Sequence, residues 1–138
     1  MEKFFEEYLK NNNKILDVGS KKYHGHMTYK DIISEEKDVQ YFGVDISEGE
    51  NVDIVIKDIY VWEAISDEEY DIVISGQTFE HMEFFWVAFK EMARVLKKGG
   101  HICVIAPSSG KIHRYPVDCW RFFQMVCNLL PSMLTLNY

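Results

Sequence analysis

An α/β fold with a mostly parallel sheet is what the amino-acid sequence predicts, on three observations. Five short apolar runs are spaced along the chain, each about the length of a buried strand. Polar or helix-periodic stretches separate them, so the runs alternate with connecting segments in the manner of βαβ units. The clearest helical pattern falls between the fourth and fifth runs, where it can return the chain to start another parallel strand.

The elements follow in order. Residues 2–12 are predicted as an amphipathic helix, with Phe4, Phe5, Tyr8 and Leu9 on one stripe and Asn11, Asn12 and Asn13 ending it. The first strand is 14–19, stopping at Gly19. A short helix is expected over 26–36, with Met27, Ile32 and Ile33 on one side. Strands follow at 41–45, 52–56 and 71–75. The next helix is predicted over about 82–98, because Phe85, Ala88, Phe89, Met92, Val95 and Leu96 recur at three and four. Lys97 and Lys98 would oppose its dipole and Gly99 would end it. The fifth strand is 101–106. Phe79, Phe84, Phe85 and Trp86 read as core aromatics with one exposed ring.

Composition narrows the class of function. A chain of 138 residues is one domain, 1–138, and can bury ~68% of its unfolded surface. It divides into the N-terminal helix 2–12, a core 14–122 and a tail 123–138. No apolar run approaches the ~20 residues of a membrane helix, so no membrane span is expected. The start, Met1 to Glu7, carries charges where a signal peptide is apolar, so secretion is not expected. With 15 basic against 22 acidic residues and no basic block, nucleic acid is not the expected partner. Cys103, Cys119 and Cys127 fit neither a CxxC nor a zinc spacing and read as reduced thiols of a cytoplasmic protein. His24 and His26 offer two nitrogens without a third ligand, so no metal site is read.

In parallel sheets, ligands bind beyond the carboxyl ends of the strands, so chemistry is sought just after each one. Those ends carry Asp17 and Gly19, then Asp45 and Ile46, then Asp58 and Ile59, then Ser75, Gly76 and Gln77, then Pro107 and Ser108. An excess of carboxylates argues for a ligand with hydroxyls, amines or a cation. Gly19 lets a ligand approach the backbone. Asp45 can accept hydrogen bonds from both hydroxyls of a ribose. Asp58 can accept from an exocyclic amine while the Ile59 backbone reads the same ring edge.

These residues carry a resemblance. The run 15–20, Ile-Leu-Asp-Val-Gly-Ser, is similar to the first motif of class I S-adenosylmethionine-dependent methyltransferases. Val44-Asp45-Ile46, Lys57-Asp58-Ile59 and the run 70–75 resemble the second to fourth motifs. Phe79-Glu80-His81 and the helix closing on Leu96-Lys97-Lys98-Gly99-Gly100 resemble the same family. The segment 113–122, HRYPVDCWRF, resembles a less common branch of it.

The resemblance implies a Rossmann-like three-layer sandwich of about five strands and S-adenosylmethionine as cofactor. Asp17 and Gly19 would face its methionine part, Asp45 would hold its ribose, and Asp58 and Ile59 its adenine, with Ser20 and Ile46 also binding the cofactor. Ser75, Gly76 and Gln77 would border the sulfonium. The family also adds a helix and an antiparallel strand pair after the fifth strand. This chain instead ends at Tyr138, so it reads as C-terminally truncated and as lacking that pair.

Methyl transfer needs an aligned acceptor and, for an oxygen acceptor, a base within reach. His81, His113 and Asp118 are the candidates for the base. Arg114 and Arg121 can clamp an anionic group of the acceptor, with Tyr115 and Trp120 beside them. The expected activity is methyl transfer to a small-molecule acceptor. The alternative is a weak or inactive homologue that serves as a binding module and self-associates through the exposed edge of its fifth strand. A nicotinamide-dependent oxidoreductase is disfavoured, because Gly19-Ser20-Lys21-Lys22 is not the G-x-G-x-x-G that seats a pyrophosphate.

Overall fold

The computed structural model describes residues 1–33, 37–114 and 117–123. The strands are β1 (Lys14–Val18), β2 (Gln40–Asp45), β3 (Ile54–Val55), β4 (Tyr70–Gly76) and β5 (Leu96–Ile105). They form one sheet in the order β3-β2-β1-β4-β5, and every pairing is parallel. The order reverses between β1 and β4, which places the switch point there. Among the described residues two α-helices flank the sheet, α1 (Glu2–Tyr8) and α2 (Phe85–Val95). Among the described residues no antiparallel strand pair closes the sheet, and β5 is its edge.

Each face has its own core. On one face, Phe5 and Leu9 pack with Ile15, Ile72 and Ile74. On the other, α2 presents Phe85, Ala88, Phe89, Met92 and Val95 to Leu16, Val18, Val44 and Val73. The period of three and four read from the sequence is the buried stripe of this helix. Of the four aromatics read as core plus one ring, Phe84 is the exposed one.

Several predicted boundaries move, each for a local reason. The first helix is shorter than 2–12 and stops at Tyr8, with Leu9 already extended. Leu9 O is taken by the Lys37 ammonium at 2.6 Å, and Asn13 Oδ1 accepts from Lys10 N at 2.8 Å, so side chains replace further turns. The helix expected over 26–36 is a single 3-10 turn, Lys30–Ile32, among the described residues; 34–36 lie outside them. The Asp31 carboxylate accepts from both Thr28 N and Thr28 Oγ1, which favours a tight turn over a continuing helix. The third strand shrinks from 52–56 to two residues.

Helix α2 ends at Val95 rather than 98. The backbone N–H groups of Glu68 and Glu69 donate to Arg94 O and Val95 O at 2.9 and 2.8 Å. These take carbonyls that a last helical turn leaves bare. Lys97 and Lys98 belong to β5, where Lys97 pairs with Asp71 at 2.8 Å instead of facing the helix dipole. Gly99, at φ +79°, lies in the irregular stretch between the Tyr70–Leu96 and Ile72–His101 pairs.

The crossover from β3 to β4 carries no helix, so its backbone needs partners elsewhere. Side chains of α2 supply them. Glu91 accepts from Trp62 N at 2.9 Å, and Arg94 donates to Trp62 O and Ile65 O at 3.0 and 2.9 Å. Trp62 itself is fully buried and bonds Ile59 O through Nε1. Replacing Trp62 by Ala empties the centre of this crossover and is expected to cost about 3–5 kcal/mol in urea unfolding. A loss below about 1 kcal/mol would show that the crossover does not depend on the indole.

Candidate functional site

A cleft of about 740 Å³ opens at the carboxyl ends of the strands. That volume suits a small molecule or cofactor. Every strand end or the loop after it contributes: Val18 and Gly19, Val44 to Ser47, Ile56 and Ile59, Gln77 to Met82 in part, and His113 with Arg114. Tyr23 and His26 come from the connection between β1 and β2.

Gly19 lies at the floor of the switch point with φ +78°, a conformation that suits glycine. A Cβ there would come within 2.2 Å of Thr78 Oγ1, so the β1 and β4 ends approach each other only because this residue lacks one. Asp45 ends β2 and lines the cleft. Its Oδ1 accepts from Ser47 N at 3.2 Å and, at a long 3.4 Å, from Ser47 Oγ, while its Oδ2 accepts from Lys21 N at 3.2 Å and keeps a second lone pair for a ligand. Ile46 is half exposed beside it. Gln77 lines the cleft with φ +55°, a strained value for a residue with a side chain.

Other residues named from the sequence are placed differently. Asp17 is buried, does not line the cleft, and accepts a hydrogen bond from Tyr41 Oη at 2.5 Å. Burial drives its carboxyl up to about 6, with the Asp45 charge adding to the rise and the Tyr41 hydroxyl opposing it. Tyr41 is raised in turn, by burial and by the Asp17 charge. Ser20 is buried and its hydroxyl has no partner among the described residues. Ser75 donates to Val18 O at 2.9 Å, which ties β4 to β1 rather than facing the cleft. Gly76 leaves room for Tyr29, whose hydroxyl would stand 1.8 Å from a Cβ. The Asp58 carboxylate is used by its own turn, accepting from Tyr60 N at 2.8 Å, while Ile59 reaches the cleft.

The described parts of the HRYPVDCWRF segment, 113–114 and 117–122, lie as a strap over the second 3-10 turn, Phe79–His81. Cys119 N and Trp120 N both donate to Glu80 O, and Phe122 N donates to Pro107 O at 2.8 Å. Phe122 is buried against Phe79 and Phe85. Arg121 grips Asp118 with both guanidinium nitrogens, at 2.5 and 2.9 Å, and also donates to Lys111 O. That grip holds the Asp118 carboxyl well below the usual carboxylate range. Asp118 also accepts from His113 N at 2.7 Å and does not line the cleft. Trp120 stacks edge-on to Phe85 and Trp86 and bonds Glu83 O.

The strap thereby brings His113 and Arg114 to the cleft opposite His81, with the two imidazoles 5.0 Å apart and edge-on. Tyr115 lies outside the described residues. Thr78, Met82, Ser47 and Tyr23 line the cleft without having been singled out from the sequence, as does His26, which was weighed there only as a metal ligand. Thr78 and Met82 lie in the turn after β4, close to the strand ends where chemistry was sought. Nothing in the sequence pattern distinguished the others.

A parallel sheet of this strand order, with a ligand-sized cleft at the switch point and an acid closing its second strand, defines an α/β protein of the nucleotide-cofactor type. Residues 16–104 match the family described as "Methyltransferase domain", and the chain belongs to that family. S-adenosylmethionine is the cofactor this membership implies. No curated protein sequence matches the chain. Its fold is similar to an S-adenosylmethionine-dependent methyltransferase from Archaeoglobus fulgidus, with TM-score 0.70 and 15% identity over 98% of this chain and 66% of that one. One from Aquifex aeolicus gives TM-score 0.67 and 17% identity over 99% and 79%. A protein from Methanococcus maripaludis assigned to the same class gives TM-score 0.61 and 20% identity over 77% and 53%. The chain thus spans about half the length of several structures it resembles.

The Asp17 environment predicts a pH effect. A raised carboxyl means that the folded chain holds this proton more tightly than the unfolded one. The contribution is therefore absent below about pH 4 and turns unfavourable between pH 4 and about 6. Above that it amounts to about 3 kcal/mol. Asp17→Asn should be the more stable form at pH 7 and lose its advantage toward pH 4. Urea unfolding at several pH values reads this, and a pH-independent difference would show that the Asp17 carboxyl is not the titrating group.

Proposed function

We propose that the chain binds S-adenosylmethionine in this cleft and transfers its methyl group to a small-molecule acceptor held beside His81, His113 and Arg114. The observation that carries the reading is the Asp45 carboxylate, set at the end of β2 in a cleft at the switch point, with a free lone pair on Oδ2 and only the long Ser47 Oγ contact to displace on Oδ1. The surroundings fit the cofactor. Asp45 can take the two ribose hydroxyls, Ile46, Ile56 and Ile59 offer apolar surface for the adenine, and Gly19 lets the backbone approach. S-adenosylmethionine supplies an activated methyl group on a sulfonium, and the acceptor displaces it in line while the S–C electron pair stays on sulfur.

The chain's part is alignment and control of the acceptor's proton. Of the three candidate bases, Asp118 is held ionised by Arg121 and is a weak proton acceptor, so it serves to position His113. His81 and His113 mark the acceptor end, where the proton is handled by them or by an ion between them. The Arg114 guanidinium has no ion pair among the described residues and favours an acceptor carrying a carboxylate or phosphate. Arg121 is committed to the strap. The free thiols Cys103 and Cys119 are consistent with work in the cytoplasm. No helix among the described residues is long and apolar enough to cross a membrane.

Titration calorimetry tests the assignment. Wild type should bind S-adenosylmethionine, and Asp45→Ala should weaken binding at least roughly tenfold, the loss of about 1.4 kcal/mol or more in charge-assisted hydrogen bonds. Absence of binding by the wild type at millimolar ligand would sink the reading. A second reading rests on the β5 edge, which is unpaired among the described residues and can dock another chain by strand addition. Under it, light scattering should show a concentration-dependent assembly; a monomer at all concentrations with full cofactor affinity removes it.

A further inference from the structure

We propose that Glu80, His81 and His113 form a site for a single divalent cation of the Zn²⁺ type, with one position open to the cleft. Glu80 is the anomaly that points to it. Its side chain is 0% exposed, and neither carboxylate oxygen has a hydrogen-bond partner among the described residues. A buried carboxylate demands a compensating charge or proton. The Arg121 guanidinium feels the Glu80 charge but is committed to Asp118, and two imidazoles stand close: His81 Nε2 is 3.8 Å from Glu80 Oε1, and one donor atom from each of the three residues lies within 4.8 Å of the others. Zinc ligands at ~2.0–2.2 Å from the ion stand ~3.3–3.6 Å apart, so small side-chain rotations bring this set onto one centre.

The remaining ring nitrogens are arranged as metal-bound histidines require. His81 Nδ1 is 2.5 Å from Val117 O, a contact that only an N–H can make, so the neutral ring presents Nε2 with its lone pair. His113 Nδ1 is 3.3 Å from Lys111 O and 3.6 Å from Asp118 Oδ2, which again leaves Nε2 to the ion. The Arg121–Asp118 pair then acts as an outer support that fixes the His113 ring. Two imidazoles and one carboxylate suit Zn²⁺ or another first-row ion better than Mg²⁺, which prefers oxygen and water.

His81 and His113 both line the cleft, so the open position faces the acceptor. This role rests on the methyl-transfer reading; the site itself does not. A hydroxyl of the acceptor bound there loses its proton to water more readily, and its oxygen forms the new C–O bond as the methyl–sulfur bond breaks with its electrons left on sulfur.

The test uses the full 138-residue chain, stripped with a chelator and titrated with Zn²⁺ by calorimetry and with Co²⁺ by visible absorption. One ion per chain is expected, with visible bands of low-coordinate Co²⁺. Glu80→Gln and His113→Ala should each weaken binding at least roughly tenfold, and His24→Ala should not. His113 is partly exposed, so H113A keeps the test valid if E80Q fails to fold. No binding by wild type, or undiminished binding by both E80Q and H113A, overturns the site. S-adenosylmethionine titrated into the same samples separates the two proposals. Metal without cofactor binding defeats only the methyl-transfer role, and cofactor without metal binding defeats only this site.

Discussion

Parallel pairing throughout the sheet is the constraint on which the rest depends. Because β1 to β5 all run the same way, their five carboxyl ends emerge at one edge. The side groups that follow them have nowhere else to meet. The reversal between β1 and β4 then separates the connections and leaves a crevice instead of a covered rim. Gly19 makes that crevice deep: with a Cβ there, Thr78 would be pushed away and the ends of β1 and β4 would part.

The connections are lean, and that shifts work onto side chains. Only α1 and α2 cover the sheet as regular helices among the described residues. Elsewhere single residues perform the task of a helical layer. Trp62 fills the β3–β4 crossover, Glu91 and Arg94 satisfy its backbone, and Tyr29 occupies the space that Gly76 leaves open. Acids are drawn inward by the same economy. Asp17 and Glu80 are buried, and Asp45, which lines the cleft, is half-buried. Each is destabilised by burial unless it is protonated, hydrogen-bonded or matched to a cation. Asp17 meets a hydroxyl; Glu80 has no hydrogen-bond partner among the described residues, with the His81 imidazole 3.8 Å away.

The fold class, the strands and the buried stripe of α2 were legible because apolar periodicity reports burial directly. Helix ends were not. The stop at Val95 depends on Glu68 and Glu69, which are remote in sequence, and Lys97 is drawn to Asp71 across the sheet. At the site, Gly19, Asp45, Ile46, Ile59, Gln77, His81, His113 and Arg114 could be found from their positions after strands, and they do line the cleft. Asp17 and Ser75 were named on the same logic. Alternation along their strands turns Asp17 toward Tyr41, while Ser75 spends its hydroxyl on Val18 O. A carboxylate or hydroxyl can be read from sequence, but its hydrogen-bond partner across the sheet cannot.

The strap shows how a local motif gains its place at the cleft through tertiary contact. Asp118 and Arg121 are three apart and find each other without help from the fold, so HRYPVDCWRF carries its own clamp. What the fold adds is the anchor. Glu80 O receives two strap N–H groups, Phe122 enters the core, and Val117 O takes His81 Nδ1. The turn after β4 and the strap after β5 are therefore locked by the same residues that bring the imidazoles together. A change in the strap must alter the orientation of His81 even where it leaves the sheet intact. In this geometry the end of the cleft lined by His81 and His113 cannot be reshaped independently of the core that supports it.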